Sequence, residues 1–237
     1  MTVPPVTRVR WTRACRLIPT RYPSVGLFDR VASPDDLEAV LELEGWTNDR
    51  VSTELGRLHT IPPDEWVTGR PMASVVMAAF CHPSPTGARF SDSRRGAWYA
   101  GRTLATSLAE STFHRSAELE EVGHFETRMQ VRLYHADFTA AFHDLRGGGR
   151  SYAELYRPDS YARSQPFGRA LLDAGSNGIV YRSVRHQGGE CIGCFRPALV
   201  ENVRVAAHYE YRWEGTRKPR VIRLTSQPDQ SGPPELA

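Results

Sequence analysis

Arg89-Phe90-Ser91-Asp92 is followed by Trp98-Tyr99-Ala100-Gly101, then by Leu108-Ala109-Glu110-Ser111. Far along the chain, Gly178-Ile179-Val180-Tyr181-Arg182 leads into Ser183-Val184-Arg185. Arginine presents a planar fork of donors that suits phosphate oxygens. A lone carboxylate beside an aromatic ring can stabilise a sugar cation as a glycosidic bond breaks. Together these residue types suggest a site for a charged nucleotide whose N-glycosidic bond is cut.

Each residue also has a plainer reading. Arg89 is one of 29 arginines, most of which belong on the surface. A tyrosine in Trp98-Tyr99-Ala100 ordinarily packs inward, and a glutamate on a helix ordinarily faces solvent. Glu110 stands apart because it follows Leu108-Ala109 on a helix fed directly by the Tyr99 strand. Its expected role is to bond a ribose hydroxyl and offset charge at the anomeric carbon. Ser183 lacks the G-x-S-x-G surroundings of an activated nucleophile, so it is expected to bind substrate rather than attack it. Arg185 is a second phosphate candidate. His114 shares a helical face with Glu110, four residues away, but His114 and His186 both read as structural or surface histidines.

The spacing carries a resemblance. Tyr99 comes ten positions after Arg89, and Glu110 eleven positions after Tyr99. With Ser183, this pattern resembles the RES domain, a family named for its Arg, Glu and Ser and found in toxins of bacterial toxin–antitoxin pairs. Arg21, in Thr20-Arg21-Tyr22-Pro23, is a looser match to an N-terminal family arginine. The likeness covers roughly residues 85–200 and, more weakly, 15–30. It implies an α+β, ADP-ribosyltransferase-like fold: two facing β-sheets with flanking helices and an NAD cleft. It also implies NAD as substrate, cleaved by a glycohydrolase or phosphorylase with inorganic phosphate as the co-substrate of the second, and no metal. Arg89, Tyr99 and Glu110 would be catalytic; Arg21, Arg89, Tyr99 and Ser183 would bind NAD, and Arg185 joins them as a phosphate candidate from its own chemistry rather than from the resemblance. The partner implied is an Xre-like antitoxin with a helix-turn-helix part and another part that blocks the NAD site. A homodimer stays open.

Two other readings compete. In an ADP-ribosyltransferase a protein side chain accepts the ribosyl group, but Leu108 stands where arginine-directed transferases carry a second glutamate. The non-enzymatic reading is an antitoxin-binding module without activity. Intact Arg89, Tyr99, Glu110 and Ser183 argue against it.

Several elements must position these residues. Residues 1–13, rich in Pro and Arg, read as a flexible arm, and 14–225 as one catalytic domain. An inserted helical segment is expected at about 29–84, and a disordered tail at 226–237. Ser33-Pro34-Asp35-Asp36 is a helix start, with Leu37, Val40, Leu41, Leu43 and Trp46 as its apolar stripe. Met72 to Phe80 is apolar enough for either a buried helix or a strand. The turn Pro83–Gly87 is expected to launch a strand at Arg89. Alternation from Arg128 to Tyr134 reads as a half-buried strand. Gly147-Gly148-Gly149 lacks the lysine of a phosphate loop. Ser164 to Ala174 reads as a helix capped by serine and stopped at Gly175. Strands are expected at Ile179–Tyr181, Ile192–Phe195, Val203–Trp213 and Val221–Leu224. With no βαβ rhythm, the pattern argues for α+β rather than a doubly wound sheet.

Composition sets the bounds. With 40% hydrophobic and 24% charged residues, the chain has enough apolar content for a packed core. The net charge is only +3 and no basic run forms a stripe, so direct nucleic-acid binding is not expected. Lys218 is the sole lysine, an arginine preference that a GC-rich coding sequence explains. No window approaches the ~18 apolar residues of a membrane span, and Met1–Pro5 opens no signal peptide. Cys191-Ile192-Gly193-Cys194 has metal or redox spacing, but no second pair accompanies it and it lies in an apolar run, so it reads as a buried strand. The expected location is cytoplasmic.

Overall fold

The computed structural model describes residues 2–22, 26–30, 33, 35–36 and 57–225. Among these, the elements are β1 (Val6–Pro19), α1 (Leu27–Arg30), α2 (Ala73–Cys81), β2 (Trp98–Gly101), α3 (Leu104–Val122), β3 (Glu126–Asp144), α4 (Ser164–Asp173), β4 (Gly178–Arg182), β5 (Glu190–Cys194), β6 (Glu201–Glu214) and β7 (Arg220–Leu224). The architecture is mixed α+β, a large sheet with flanking helices.

β3 organises the sheet. One of its edges pairs antiparallel with β1, from Val6↔His143 to Pro19↔Val131. Its other edge pairs first with β6 and then, at His143 and Asp144, in parallel with β4. β4 continues through β5 to β2, and β2 meets β1 at Cys15↔Gly101. The sheet order is β1-β2-β5-β4-β3-β6-β7, and the β1–β3 pairing closes five strands into a circuit. In place of the two separate facing sheets expected from the sequence, the strands form one hydrogen-bonded sheet. β1, β3, β6 and β7 form a long arm, and β2, β5 and β4 a short one.

Three apolar clusters hold these layers. Trp11, Tyr134, Phe138 and Phe142 of the long arm meet Trp98, Val180 and Ile192 of the short arm and Phe80 of α2. Leu104, Leu108 and Leu119 of α3 pack on Val131, Leu133, Tyr211 and Trp213. The third cluster holds Phe90, Leu155, Leu171, Ile179, Tyr181 and Phe195.

Local chemistry explains α3. The Thr103 side chain accepts the Thr106 N–H, and Gly123 ends the helix at φ 68° in the left-handed region. Buried Ser107 stitches the helix to the sheet corner: it accepts the Gly101 N–H at 3.1 Å and donates to Cys15 O at 2.6 Å. A Cβ on Gly101 would lie 2.5 Å from the Ser107 oxygen, so the corner requires glycine.

Several expectations change. Residues 6–13 are strand rather than arm: Val9 and Trp11 are buried while Arg8 and Arg10 face out. Arginine at alternate positions masked a period-two pattern. A bulge after Trp11, with Arg13 at φ 58°, resets the register, and Asp137 takes the Arg13 N–H at 2.8 Å. Part of the expected insertion at 29–84 is integral to the core, since Leu58, Ile61, Val67 and α2 are buried in it. Met72 to Phe80 resolves as helix. Arg89 lies not on a strand but in a tight turn closed by the Ala88↔Ser91 bridge. Ser164 does not cap α4; it is the first helical residue, and its hydroxyl donates back to Tyr161 O at 3.4 Å. Ser33 does accept the Asp36 N–H, at 3.1 Å. The stripe from Leu37 to Trp46 and the tail at 226–237 lie outside the described residues.

Candidate active site

Glu110 sits in the second turn of α3, and its side chain is 22% exposed. Leu108, two residues earlier, packs into the core beneath the helix, so the two point to different faces. The Ser183 hydroxyl donates to Glu110 Oε1 at 2.5 Å. The Ser183 oxygen itself accepts the backbone N–H of Arg185 at 3.1 Å and of His186 at 2.9 Å. A hydroxyl has one proton and two lone pairs. With both lone pairs engaged, the Ser183 proton points at the carboxylate.

The turn after β4 that delivers Ser183 is locked at both ends. The Ser183 N–H donates to Gly189 O at 2.8 Å, and the Gly189 N–H donates to His186 O at 2.9 Å. His186 Nδ1 lies 3.0 Å from Thr106 Oγ1 of α3, and Arg102 pairs with Glu190 at 2.6 Å. Any Cβ at Gly189 would come within 2.7 Å of both His186 Nδ1 and Thr106 Oγ1, so helix and turn stay in contact.

Arg89 is 6% exposed. Its Nη1 donates to Leu155 O at 3.0 Å and to Arg157 O at 2.9 Å, and its guanidinium lies 5.1 Å from the Tyr161 ring centre. One nitrogen thus anchors the group through its backbone partners. Tyr99 holds the turn that carries Arg89: its hydroxyl accepts the Phe90 N–H at 3.0 Å and lies 3.0 Å from Ser91 Oγ. Burial pushes the Tyr99 phenol up to about 12, so it stays neutral.

The Arg185 guanidinium carbon lies over Phe113, 3.3 Å from the ring centre, and the group donates to Pro158 O. The segment 155–161 therefore touches both guanidinium groups. Charge ties the group together. Burial depresses the Arg185 guanidinium against the pull of Glu110. Burial likewise raises the Tyr161 and Tyr181 phenols and the Cys191 thiol, all within reach of both Arg89 and Glu110.

Arg89, Tyr99, Glu110, Ser183 and Arg185 are thus gathered. Arg21 is not: it is exposed, stacks 5.0 Å from its neighbour Tyr22 and donates to the Tyr22 hydroxyl at 3.0 Å. Arg16 of β1, five residues earlier, reaches the signature residues instead. Arg16 Nη1 donates to Tyr99 O at 3.1 Å, with the guanidinium 4.8 Å from the Trp98 ring centre. Its buried Nε has no hydrogen-bond partner among the described residues, and burial brings its pKa down to about 10. Sequence reading passed over Arg16 and Tyr161. The only available signal for Arg16 was a charge on the inward side of an alternating strand.

An oriented carboxylate, two anchored guanidiniums and several aromatic rings suit a phosphate-bearing ligand whose charge changes near Glu110. Among the described residues, no three His, Cys, Asp or Glu side chains gather as a metal site would require. No helix there is long and apolar enough to cross a membrane.

Residues 57–214 match the RES domain. The chain belongs to the RES-domain family. The match spans α2, the Arg89 turn, α3 and the Ser183 turn, so every gathered residue lies inside the RES domain. Arg16 and Arg21 lie before it. An uncharacterised protein of Sinorhizobium fredii, y4oC, is 29% identical over 205 residues, covering 85% of this chain and 83% of the relative. A chain in the crystal structure of the M. tuberculosis MbcT–MbcA toxin–antitoxin complex is similar with a TM-score of 0.48 and 12% identity. That likeness covers 86% of this chain and 87% of the other.

Proposed function

We propose that this RES domain is the toxin of a bacterial toxin–antitoxin pair and cleaves the nicotinamide–ribose bond of NAD, depleting the cell of NAD and arresting growth. The observation that carries the reading is the Glu110 carboxylate, held at one oxygen by the Ser183 hydroxyl, whose own oxygen takes two backbone N–H groups. Such a carboxylate is oriented before substrate arrives. It hydrogen-bonds a ribose hydroxyl and offsets positive charge at the anomeric carbon as neutral nicotinamide leaves. Groups arranged in advance toward developing charge are usually the largest single contribution to a rate enhancement.

Arg89 and Arg185 take the pyrophosphate. Tyr99 lines the nicotinamide pocket, and Arg16 steadies the strand that carries it. Ser183 acts on Glu110 rather than on the substrate. Leu108 is spent in the core, which leaves no second glutamate for an arginine-directed transferase. Water or inorganic phosphate accepts the ribosyl group, and a helix-turn-helix antitoxin covers the cleft in the resting cell.

The test is incubation of purified protein with NAD, with and without phosphate, and product identification by mass spectrometry. Free nicotinamide with ADP-ribose or its 1″-phosphate is expected. NAD left intact by pure protein, with label appearing on one host protein in lysate, would replace this reading with the transferase.

A further inference from the structure

His114 is one helical turn from Glu110, and its Nε2 lies 3.9 Å from Glu110 Oε2, the oxygen that Ser183 leaves free. That gap is too wide for a direct hydrogen bond. It suits a water about 2.8 Å from each atom, a single-water bridge. The imidazole edge is accessible, with 43% of the side chain exposed. Phe113 stands edge-on at 5.5 Å, and its face carries the Arg185 guanidinium. The groups that act on the ring are Glu110 and Arg115 on its own helix, Arg185 from the turn after β4, and Arg89 from the turn before β2. Burial, reinforced by the three arginines, holds the imidazole below its ordinary value of 6.5 although Glu110 pulls the other way. A neutral ring with its proton on Nδ1 presents a free lone pair at Nε2.

We propose that His114 is the catalytic base of hydrolysis, accepting at Nε2 a proton from a water held between it and Glu110 Oε2. This rests on the NAD-cleaving reading and adds to it a division between acceptors. The C1″–N bond breaks and its electron pair leaves with neutral nicotinamide. The water oxygen bonds C1″, its proton moves to His114, and the imidazolium passes that proton to solvent. An anionic nucleophile such as azide has no proton to lose and bypasses the step.

The experiment compares wild type with His114→Asn on NAD in water and in water with azide. ADP-ribose formation by the variant should fall about 10²-fold, the low end for a lost general base. Azide should restore NAD consumption to near the wild-type level, yielding the ribosyl azide. The wild-type hydrolysis profile should show an acid limb below pH 6.5 that the variant lacks. Hydrolysis by His114→Asn at the wild-type rate would overturn the proposal. So would a loss that azide does not restore, since His114 would then only support Glu110. A wild type that leaves NAD intact would instead bring down the underlying reading, and this proposal with it.

Discussion

Ser183 and Glu110, 73 residues apart, share a 2.5 Å hydrogen bond whose direction is set by two backbone N–H groups behind the serine. The bond joins the turn after β4 to the second turn of α3. It fixes one carboxylate oxygen and leaves the other facing His114 at 3.9 Å.

Glu110→Gln keeps shape but loses charge, and an amide nitrogen facing the Ser183 proton would be repelled. NAD turnover should fall on the order of 10²–10³-fold, as for other lost electrostatic stabilisers. NAD affinity, read by calorimetry, should change far less. Ser183→Ala frees the carboxylate, and turnover should drop by up to about 10²-fold, the scale of a small misplacement. It also strips two N–H groups of their acceptor, a cost of about 1–3 kcal/mol where they stay dry. Wild-type turnover in Ser183→Ala would separate the serine from Glu110.

Arg89→Lys retains charge but cannot both donate to Leu155 O and Arg157 O and present a fork to phosphate. NAD binding measured by calorimetry should weaken severalfold or more. The melting temperature should also fall, because two carbonyls lose a shared donor. Unchanged affinity in Arg89→Ala would make this arginine purely structural.

Glu65 is an internal tie. It accepts Arg95 at 2.5 Å and Arg196 at 2.6 Å, joining the segment before α2 to the loop before β2 and the end of β5. Arg95 is 6% exposed, so Glu65→Ala would strand a buried guanidinium. Chemical denaturation should show a loss of about 3–5 kcal/mol, the usual range for breaking a buried pair. A loss below about 1 kcal/mol, typical of exposed pairs, would show that water repairs the site.

Acid should destabilise the fold in two stages. Burial holds His114, His135 and His143 below the ordinary 6.5. The unfolded chain then binds protons more readily than the folded one, and stability present above pH 6.5 is lost as pH falls toward the depressed values. Hydrogen bonds from Arg146 hold Asp144 below its ordinary 3.8, which adds a second loss at still lower pH with the same sign. Thermal melts across this range should trace both stages. His143→Gln, removing a ring 2.8 Å from Ser176 Oγ, should flatten part of the first. A melting temperature that stays level from neutral pH to well below 6.5 would contradict it.

Much of the site was legible because its logic is local. Glu110 lies two residues past Leu108 on one helix, so with Leu108 turned inward the carboxylate had to take another face. Tyr99 on a short strand before that helix was equally plain. The arm assigned to 1–13 was misread because arginines at alternate positions of a strand look like a basic tail until β3 supplies its edge. The strand expected at Arg89 was misread for a related reason: Tyr99 bends it into a turn through a hydroxyl contact invisible to local pattern.

The sequence by itself determined the residue types of the site, their spacing and the helix that bears the carboxylate, since capping and periodicity act over a few residues. Tertiary structure alone decided what each polar group faces. Ser183 meets Glu110 rather than open space because the turn after β4 is pinned to Thr106 through His186. Arg16 enters the neighbourhood of Tyr99, 83 residues away, and Arg21 does not, because β1 meets β2 at Cys15 and ends at Pro19, before Arg21. Arg89 is anchored by carbonyls 66 and 68 residues downstream. A hydrogen bond is set by distance and angle between two groups, and only the closed circuit of strands brings groups so far apart in the chain within that reach.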